Sequence, residues 1–305
     1  MISLASVTDA TRAASLFNAS FDDRLNTAAG IRYRFESARP EDRMRYWRAE
    51  RDAELVGWAY GGLDVFAPVR TAGFAGIVVH PEHRRAGIGG ALWNVVSAHL
   101  DEIGAHRIVG QSCADDETLS FLRSRGFSVE ATEASSAVDP RTIGPAPSLP
   151  KGIEFASMTD FADDPEPIYT ADRESALDEP GPSDFSGMTY DTWRRLIWDH
   201  PDCDHELSGV ALVGGAVVGT TFLYSDRSTG RAANAGTGVI RSFRGRGLGL
   251  LIKQHSLARA AAAGITRVIT QNDETNAPML AINARLGYER FSVGHAWVLE
   301  RPSRT

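Results

Sequence analysis

The chain has 305 residues, 43% of them hydrophobic and 23% charged, and a formal net charge of −7. This is the composition of a globular protein of about two domains, and the acidic balance argues against nucleic acid, whose phosphate backbone calls for a basic surface. The opening MISLASVTDATR lacks the basic start and apolar core of a signal peptide, no apolar run reaches the length of a membrane span, and Cys113 and Cys203 fit neither a disulfide framework nor a metal-ligand spacing, so a cytoplasmic protein with no membrane partner and no metal is expected.

The first predicted element is a strand in ISLASVTD (Ile2 to Asp9), where Thr-Asp signals a helix N-cap. Val56-Gly57 open a strand after a turn. Ile77 to Leu92 then reads IVVHPEHRRAGIGGAL: a short apolar strand, a turn, and Arg-x-x-Gly-x-Gly (Arg84, Gly87, Gly89) opening an Ala/Leu-rich helix. That helix ends at Gly104, a strand HRIVGQ follows from His106, and a second helix closes on Arg125-Gly126-Phe127. Asp139 to Gly152, DPRTIGPAPSLPKG, carries four prolines and reads as a linker.

The series then repeats. IEFASMTD (Ile153 to Asp160), Val218-Gly219, TGVIRSFRGRGLGLLI (Thr237 to Ile252, with Arg244, Gly247 and Gly249), Gly264, TRVITQ (Thr266 to Gln271) and Leu286-Gly287-Tyr288 occur in the same order. A period this long means two whole domains, not a solenoid; the division is placed at 1–147 and 148–305. Each half predicts an α/β fold, a mixed and mostly antiparallel twisted sheet with helices on both faces. The second half has extra sequence from Asp178 to Pro201, whose Trp193 and Trp198 either pack a helix face or wall an acceptor pocket. The lysines are Lys151 and Lys253 alone; their scarcity beside many alanines reads as the coding bias of a GC-rich bacterium and is given no functional meaning.

A glycine-rich turn into a helix presents backbone N–H groups at the positive end of the helix dipole, which suits a diphosphate. A P-loop would need a Gly-Lys-Ser/Thr ending, and a dinucleotide fingerprint a third glycine and a later acidic residue; neither copy has them. Arg-x-x-Gly-x-Gly after an apolar strand, Val79-His80-Pro81, the closing Gly-aromatic pairs and Asn276-Ala277-Pro278-Met279 together resemble the GNAT superfamily of N-acetyltransferases, in the tandem two-domain type of mycothiol synthase-like actinobacterial proteins. The resemblance covers nearly the whole chain.

It implies acetyl-CoA as cofactor and the amine of a small molecule as acceptor. The pantetheine-binding strand would be Ile77-Val78-Val79 in the first half and Thr237-Gly238-Val239 in the second, bulged and splayed from its neighbour. The diphosphate would lie on Arg84, Arg85, Ala86, Gly87, Ile88, Gly89 and Gly90, and on Arg244, Gly245, Arg246, Gly247, Leu248, Gly249 and Leu250. Asn276 matches a position that contacts the cofactor; the first half has Asp115 there.

The resemblance also implies direct attack of the amine on the thioester, with a tyrosine before the closing Gly-aromatic protonating the thiolate. Those positions hold Leu122 and Asn283, a departure from the pattern. Asn283, Tyr224 and Asp226 are carried as candidate catalytic residues, with Tyr288 weighed as an acid and Asp178 and Glu179 as bases. The fuller motif places catalysis in the C-terminal half; the N-terminal half is a second enzyme, a cofactor-loaded scaffold or a structural partner. The expected assembly is a monomer (itself an internal pseudo-dimer) or a homodimer. The alternatives are a non-catalytic acyl-CoA-binding or regulatory module, and a transferase for another acyl-CoA or for a protein amine.

Overall fold

The structure, a computed structural model, describes residues 1–302. The chain forms two compact units. The first holds Met1–Thr132, Gly181–Met188 and the segment from Gly294; the second holds Glu133–Pro180 and Thr189–Val293.

The first unit runs β1 (Ile2–Leu4), α1 (Ala10–Ser20), α2 (Ala28–Glu36), β2 (Arg45–Arg51), β3 (Glu54–Leu63), β4 (Ala72–Val79), α3 (Ile88–Glu102), β5 (Arg107–Cys113), α4 (Asp116–Arg123) and the start of β6 (Ser128–Val138). The second runs β7 (Ile153–Ser157), α5 (Glu166–Ala176), α6 (Tyr190–Trp193), β8 (Gly209–Val213), β9 (Ala216–Asp226), β10 (Arg231–Val239), α7 (Leu248–Ala262), β11 (Arg267–Asp273), α8 (Ala277–Arg285) and the start of β12 (Glu289–Glu300). In both, sequential strands pair antiparallel except β4 with β5 and β10 with β11, which are parallel. This is the expected mixed, mostly antiparallel α/β fold.

Each unit takes its sixth strand from the other half of the sequence. Gly294 to Glu300 of β12 pairs with β5, and Glu133 to Val138 of β6 pairs with β11. The linear division at 147/148 therefore differs from that of the compact units. The physical reason is edge protection: β5 and β11 each present a row of unpaired backbone groups that a further strand must cover.

Helices pack on both faces because residues alternate along a strand. In the first unit Ala59 and Ile77 face α3, whose Leu92, Val96 and Leu100 form a fully buried stripe, while Trp58 and Val78 face α1. In the second unit α7 packs on β8, β9 and β10, and α5 packs on β9 and β10. Where α3 buries Val96, α7 buries Ser256, whose hydroxyl donates to the Leu207 carbonyl.

The parallel pairs separate part-way along. β4 and β5 share register only from Ala72 to Phe74, and β10 and β11 only from Arg231 to Ala233. Beyond these points the strands diverge and leave a wedge. The expected bulge is present in β10, between Asn234 and Gly236; β4 pairs with β3 in continuous register through Ile77, Val78 and Val79.

Candidate functional site

The two glycine turns sit at the mouths of these wedges. Gly87 and Gly247 are left-handed, at φ of 80° and 77°, and cap the N-termini of α3 and α7; a side chain there would be strained. Nothing lies within 4 Å of where either Cβ would be, so the turns are open for a bulky anion to approach the backbone. The Nε atoms of Arg84 and Arg244 donate back to the carbonyls of Val79 and Val239 at 3.4 and 2.8 Å. Each arginine thus ties its turn to the strand before it while keeping further N–H groups for a phosphate.

In the first unit the wedge is a cleft of about 430 Å³. Of the first-half residues expected at the cofactor, Ile77, Val78, Val79, Arg84, Arg85, Gly87, Ile88, Gly89 and Gly90 line it, and Ala86 is not among the lining residues. Its inner wall is Trp93, Leu122, Phe127 and Trp297. Trp297, which sequence reasoning missed, comes from the sixth strand and donates its indole N–H to Ser112 at 2.7 Å. Nothing local in the sequence marks it, because it arrives through a strand pairing more than a hundred residues distant. The opposite face of β4 is equally apolar, with Trp58, Val78, Leu16 and Phe17 buried together. The donor-rich mouth and apolar slot fit a diphosphate with an acyl-pantetheine arm.

The second unit keeps the geometry and changes the lining. The sixth residue after the left-handed glycine is Trp93 in the first turn's helix and Lys253 in the second's. By the same correspondence Leu122 becomes Asn283, Phe127 becomes Tyr288 and Ser112 becomes Asn272. Lys253 is fully buried and donates to Asn283 Oδ1 at 2.6 Å; Asn283 Nδ2 donates to Asn272 Oδ1 at 2.7 Å. The Lys253 ammonium lies 4.7 Å from the Tyr288 ring. Burial lowers the Lys253 pKa to about 7. Beside this cluster Asn234, Thr221 and Thr237 bond one another, with Asn234 Nδ2 donating to Thr221 Oγ1 at 3.0 Å and Thr237 Oγ1 donating to Asn234 Oδ1 at 3.1 Å.

The α5 face of β10 is polar as well. The counterpart of the Trp58–Val78 pair of the first unit is Thr220–Gly238. A Cβ on Gly238 would sit 2.0 Å from Ser175 Oγ, so the glycine admits α5 close to the strand. One turn earlier on α5 is Asp172, half-buried, accepting from the Trp193 indole at 2.8 Å. Burial pushes its pKa up to about 7, against the opposing pull of the Trp193 and Thr220 donors. Trp193 is fully buried; it packs the helix and holds this carboxyl.

The other candidates are placed elsewhere. Asp226 accepts from Ser228 in the β9–β10 hairpin turn, at the paired end of β10. Tyr224 stacks on His200 at 5.2 Å and donates to the Ile197 carbonyl at 3.4 Å. Tyr288 is buried with its hydroxyl unbonded, and burial raises its pKa. Asp178 pairs with Arg241 and Arg244 at 2.8 and 2.7 Å, which holds its carboxyl below the usual range. Asn276 and Asp115 do one local job: Asn276 Oδ1 accepts from the Met279 N–H in α8 and Asp115 Oδ1 from the Thr118 N–H in α4, at 3.3 and 2.9 Å. The Asp115 departure thus preserves the cap. Among the described residues no group of His, Cys, Asp or Glu side chains is placed to hold a metal, and no helix is long and apolar enough to cross a membrane.

The family comparison decides the class of this arrangement. The Acetyltransferase (GNAT) family matches residues 11–127 and again 168–288. The chain belongs to the GNAT family. A mycothiol acetyltransferase of Saccharomonospora viridis is 28% identical over 244 residues, 78% of this chain and 77% of the relative. One of Frankia casuarinae is 27% identical over 273 residues, 82% of this chain and 73% of the relative. Among solved structures, a tandem GNAT protein from the clavulanic acid biosynthesis pathway superposes with a TM-score of 0.73 at 19% identity, covering 100% of this chain and 99% of that one. A GCN5-related N-acetyltransferase of Sphaerobacter thermophilus gives 0.73 at 20% identity, covering 100% and 96%. The protein is a tandem GNAT N-acetyltransferase, of a family that uses acetyl-CoA.

Proposed function

We propose that the chain transfers the acetyl group of acetyl-CoA to the amine of a small molecule, with the second unit carrying the transfer and the first holding acyl-CoA without turning it over. The observation behind this reading is the contrast across the diverging strand. In the second unit Asp172 lies on one face of β10 and the Lys253–Asn283–Asn272 cluster on the other; the first unit has Trp93, Leu122 and Ser112 at the positions of the cluster and an apolar α1 face against β3 and β4.

Bound acetyl-CoA supplies an acetyl carbonyl joined to a thiolate leaving group. The N-terminal amides of α7, from Gly245 to Leu250, and Arg244 would hold its diphosphate, as Arg84, Arg85 and the amides through Gly90 would in the first unit. Thr237 to Val239 would present backbone groups to the arm. Asp172 takes the proton of the attacking ammonium or amine, and a carboxyl whose pKa stands near 7 is matched to that task at neutral pH. The aromatic group of Tyr169, Tyr190 and Trp193, with ring centroids 5.3 to 6.1 Å apart, shapes the acceptor side. The relatives' names make an amine of the mycothiol type the first acceptor to try.

The test is release of free CoA thiol from acetyl-CoA across a panel of small primary amines. Amine-dependent release is expected. Acetyl-CoA uptake by calorimetry with no release by any amine would instead favour an acyl-CoA-binding module.

A further inference from the structure

We propose that Lys253 is a positioning residue that acts through Asn283 to stabilise the sulfur leaving group of the acyl donor as a thiolate. The inference rests on the reading of the second unit as the transferring one.

It starts from an uncompensated charge. Lys253 has two side-chain partners, the Asn283 carboxamide oxygen and the Tyr288 ring, and no carboxylate pairs with it among the described residues. An ammonium buried without a counter-charge is costly. Other charged groups on the surrounding elements are engaged elsewhere. On α7, His255 stacks on Phe155 and bonds to the Pro147 carbonyl, and Arg259 donates to the Glu206 carbonyl. On β11, Asp273 is bound by Thr275 and Arg267 lies over Phe291. On α8, Arg285 is exposed; on β9, Asp226 closes the hairpin. Among the described residues, Tyr288 is a titratable group against the ammonium, and burial keeps it protonated.

The location says what anion the charge awaits. Trp93 and Leu122, the first unit's counterparts of Lys253 and Asn283, line that unit's cleft. A cation at this depth of the second wedge faces the acyl end of the slot, where negative charge develops on sulfur. Asn283 Oδ1 accepts from Lys253 and one Nδ2 hydrogen goes to Asn272, which fixes the amide and leaves its other Nδ2 hydrogen to donate. In the step itself the amine nitrogen bonds to the acetyl carbon and gives its proton to Asp172. The carbon–sulfur bond breaks, and the sulfur departs with the electron pair as thiolate. Asn283 and the Lys253 charge stabilise that anion until solvent protonates it; no oxidant or second reactant is needed. Preorganised charge of this kind costs no reorganisation at the moment of bond cleavage.

CoA itself is the probe. In a chain carrying Gly87→Val, which closes the first turn, CoA uptake is followed by calorimetry and the bound thiol is titrated by its thiolate absorbance in the ultraviolet. At pH 7 and below, where Lys253 carries its charge, the thiolate fraction of bound CoA is expected to be about tenfold that of free CoA, the equivalent of one pKa unit. Lys253→Met and, independently, Asn283→Leu, which copies the first unit's residue, should return it to the free value while uptake persists. A bound thiol that titrates like free CoA, or one unaffected by both substitutions, overturns the proposal and leaves the second unit's cofactor site standing. Failure of this chain to take up CoA at all overturns the reading on which the proposal rests.

Discussion

The wedge of the first unit and the wedge of the second share a backbone and differ in nearly every side chain beneath it. Both have a left-handed glycine at the helix start, an arginine tied back to the strand and a parallel pair that separates after a short register. Behind that, Trp93, Leu122, Phe127 and Trp58 in one unit stand against Lys253, Asn283, Tyr288 and Thr220 in the other, where Asp172 adds a carboxyl beside Thr220. The lesson is that the turn encodes the capacity to hold a cofactor, while the layer under it encodes whether anything is done with the cofactor. The two layers diverge independently after a duplication.

The sharpest way to break the comparison is Asp172→Asn. It should reduce kcat by ~10²–10⁴-fold, the usual worth of a general base, and remove the rise of kcat with pH through about 7 that ionisation of Asp172 imposes. Steady-state rates from pH 5.5 to 9 check this; an unchanged pH profile would falsify the assignment.

Next in size is the stability of Lys253→Met. The native lysine is depressed to about 7 from an ordinary 10.5, so between those values the unfolded chain binds more protons and wild-type stability rises with pH. The cost is complete below pH 7 and fades as pH approaches 10.5. The methionine variant should therefore be the more stable protein, by ~1.4 kcal/mol for each pKa unit of depression at low pH, with a smaller advantage at pH 9.5. Urea midpoints at pH 6 and 9.5 measure the difference; equal gaps at both would mean Lys253 is not held in a desolvated site.

Gly247→Val and Gly87→Val compare the turns directly. Forcing a branched side chain into the left-handed region costs ~1–2 kcal/mol, roughly tenfold in affinity. The first substitution should weaken turnover at least that much; the second should weaken the binding of one equivalent of CoA about tenfold and leave turnover within about threefold, under ~0.7 kcal/mol. Equal losses of turnover would make the units equivalent. The smallest effect is expected from Trp297→Phe, which deletes the hydrogen bond to Ser112, worth about 1 kcal/mol. Calorimetry should show several-fold weaker uptake by the first unit and no change in rate.

Much of this was legible beforehand. The order of strands and helices, the duplication, the turns and the capping residues are local features, set by glycine, proline and short polar side chains near their own backbone. Lys253 was legible in principle: its neighbours at helical spacing, Ser256, Leu257 and Ala260, are all buried, so the face of α7 pointed it inward, and reading its rarity as coding bias passed over that signal. Asp172 carried no such mark, because the burial that raises its pKa comes from packing against distant segments, with the Trp193 donor opposing it. The sixth strands were not legible either, since strand pairing is a non-local choice and the proline-rich stretch from Asp139 suggested a cleaner cut than the fold makes.

That choice of partner has a consequence for biosynthesis. Most of the first unit is translated before the second, yet β5 has no neighbour on its outer side until Gly294 to Glu300 has been made. Trp297, on that strand, completes the inner wall of the cleft. The amino-terminal half therefore waits, with an open edge and an unfinished apolar slot, for translation of the carboxyl-terminal half. A nascent chain stalled in the proline-rich segment would expose that edge to any other strand in the cell, and a separately expressed 1–147 fragment would do the same permanently.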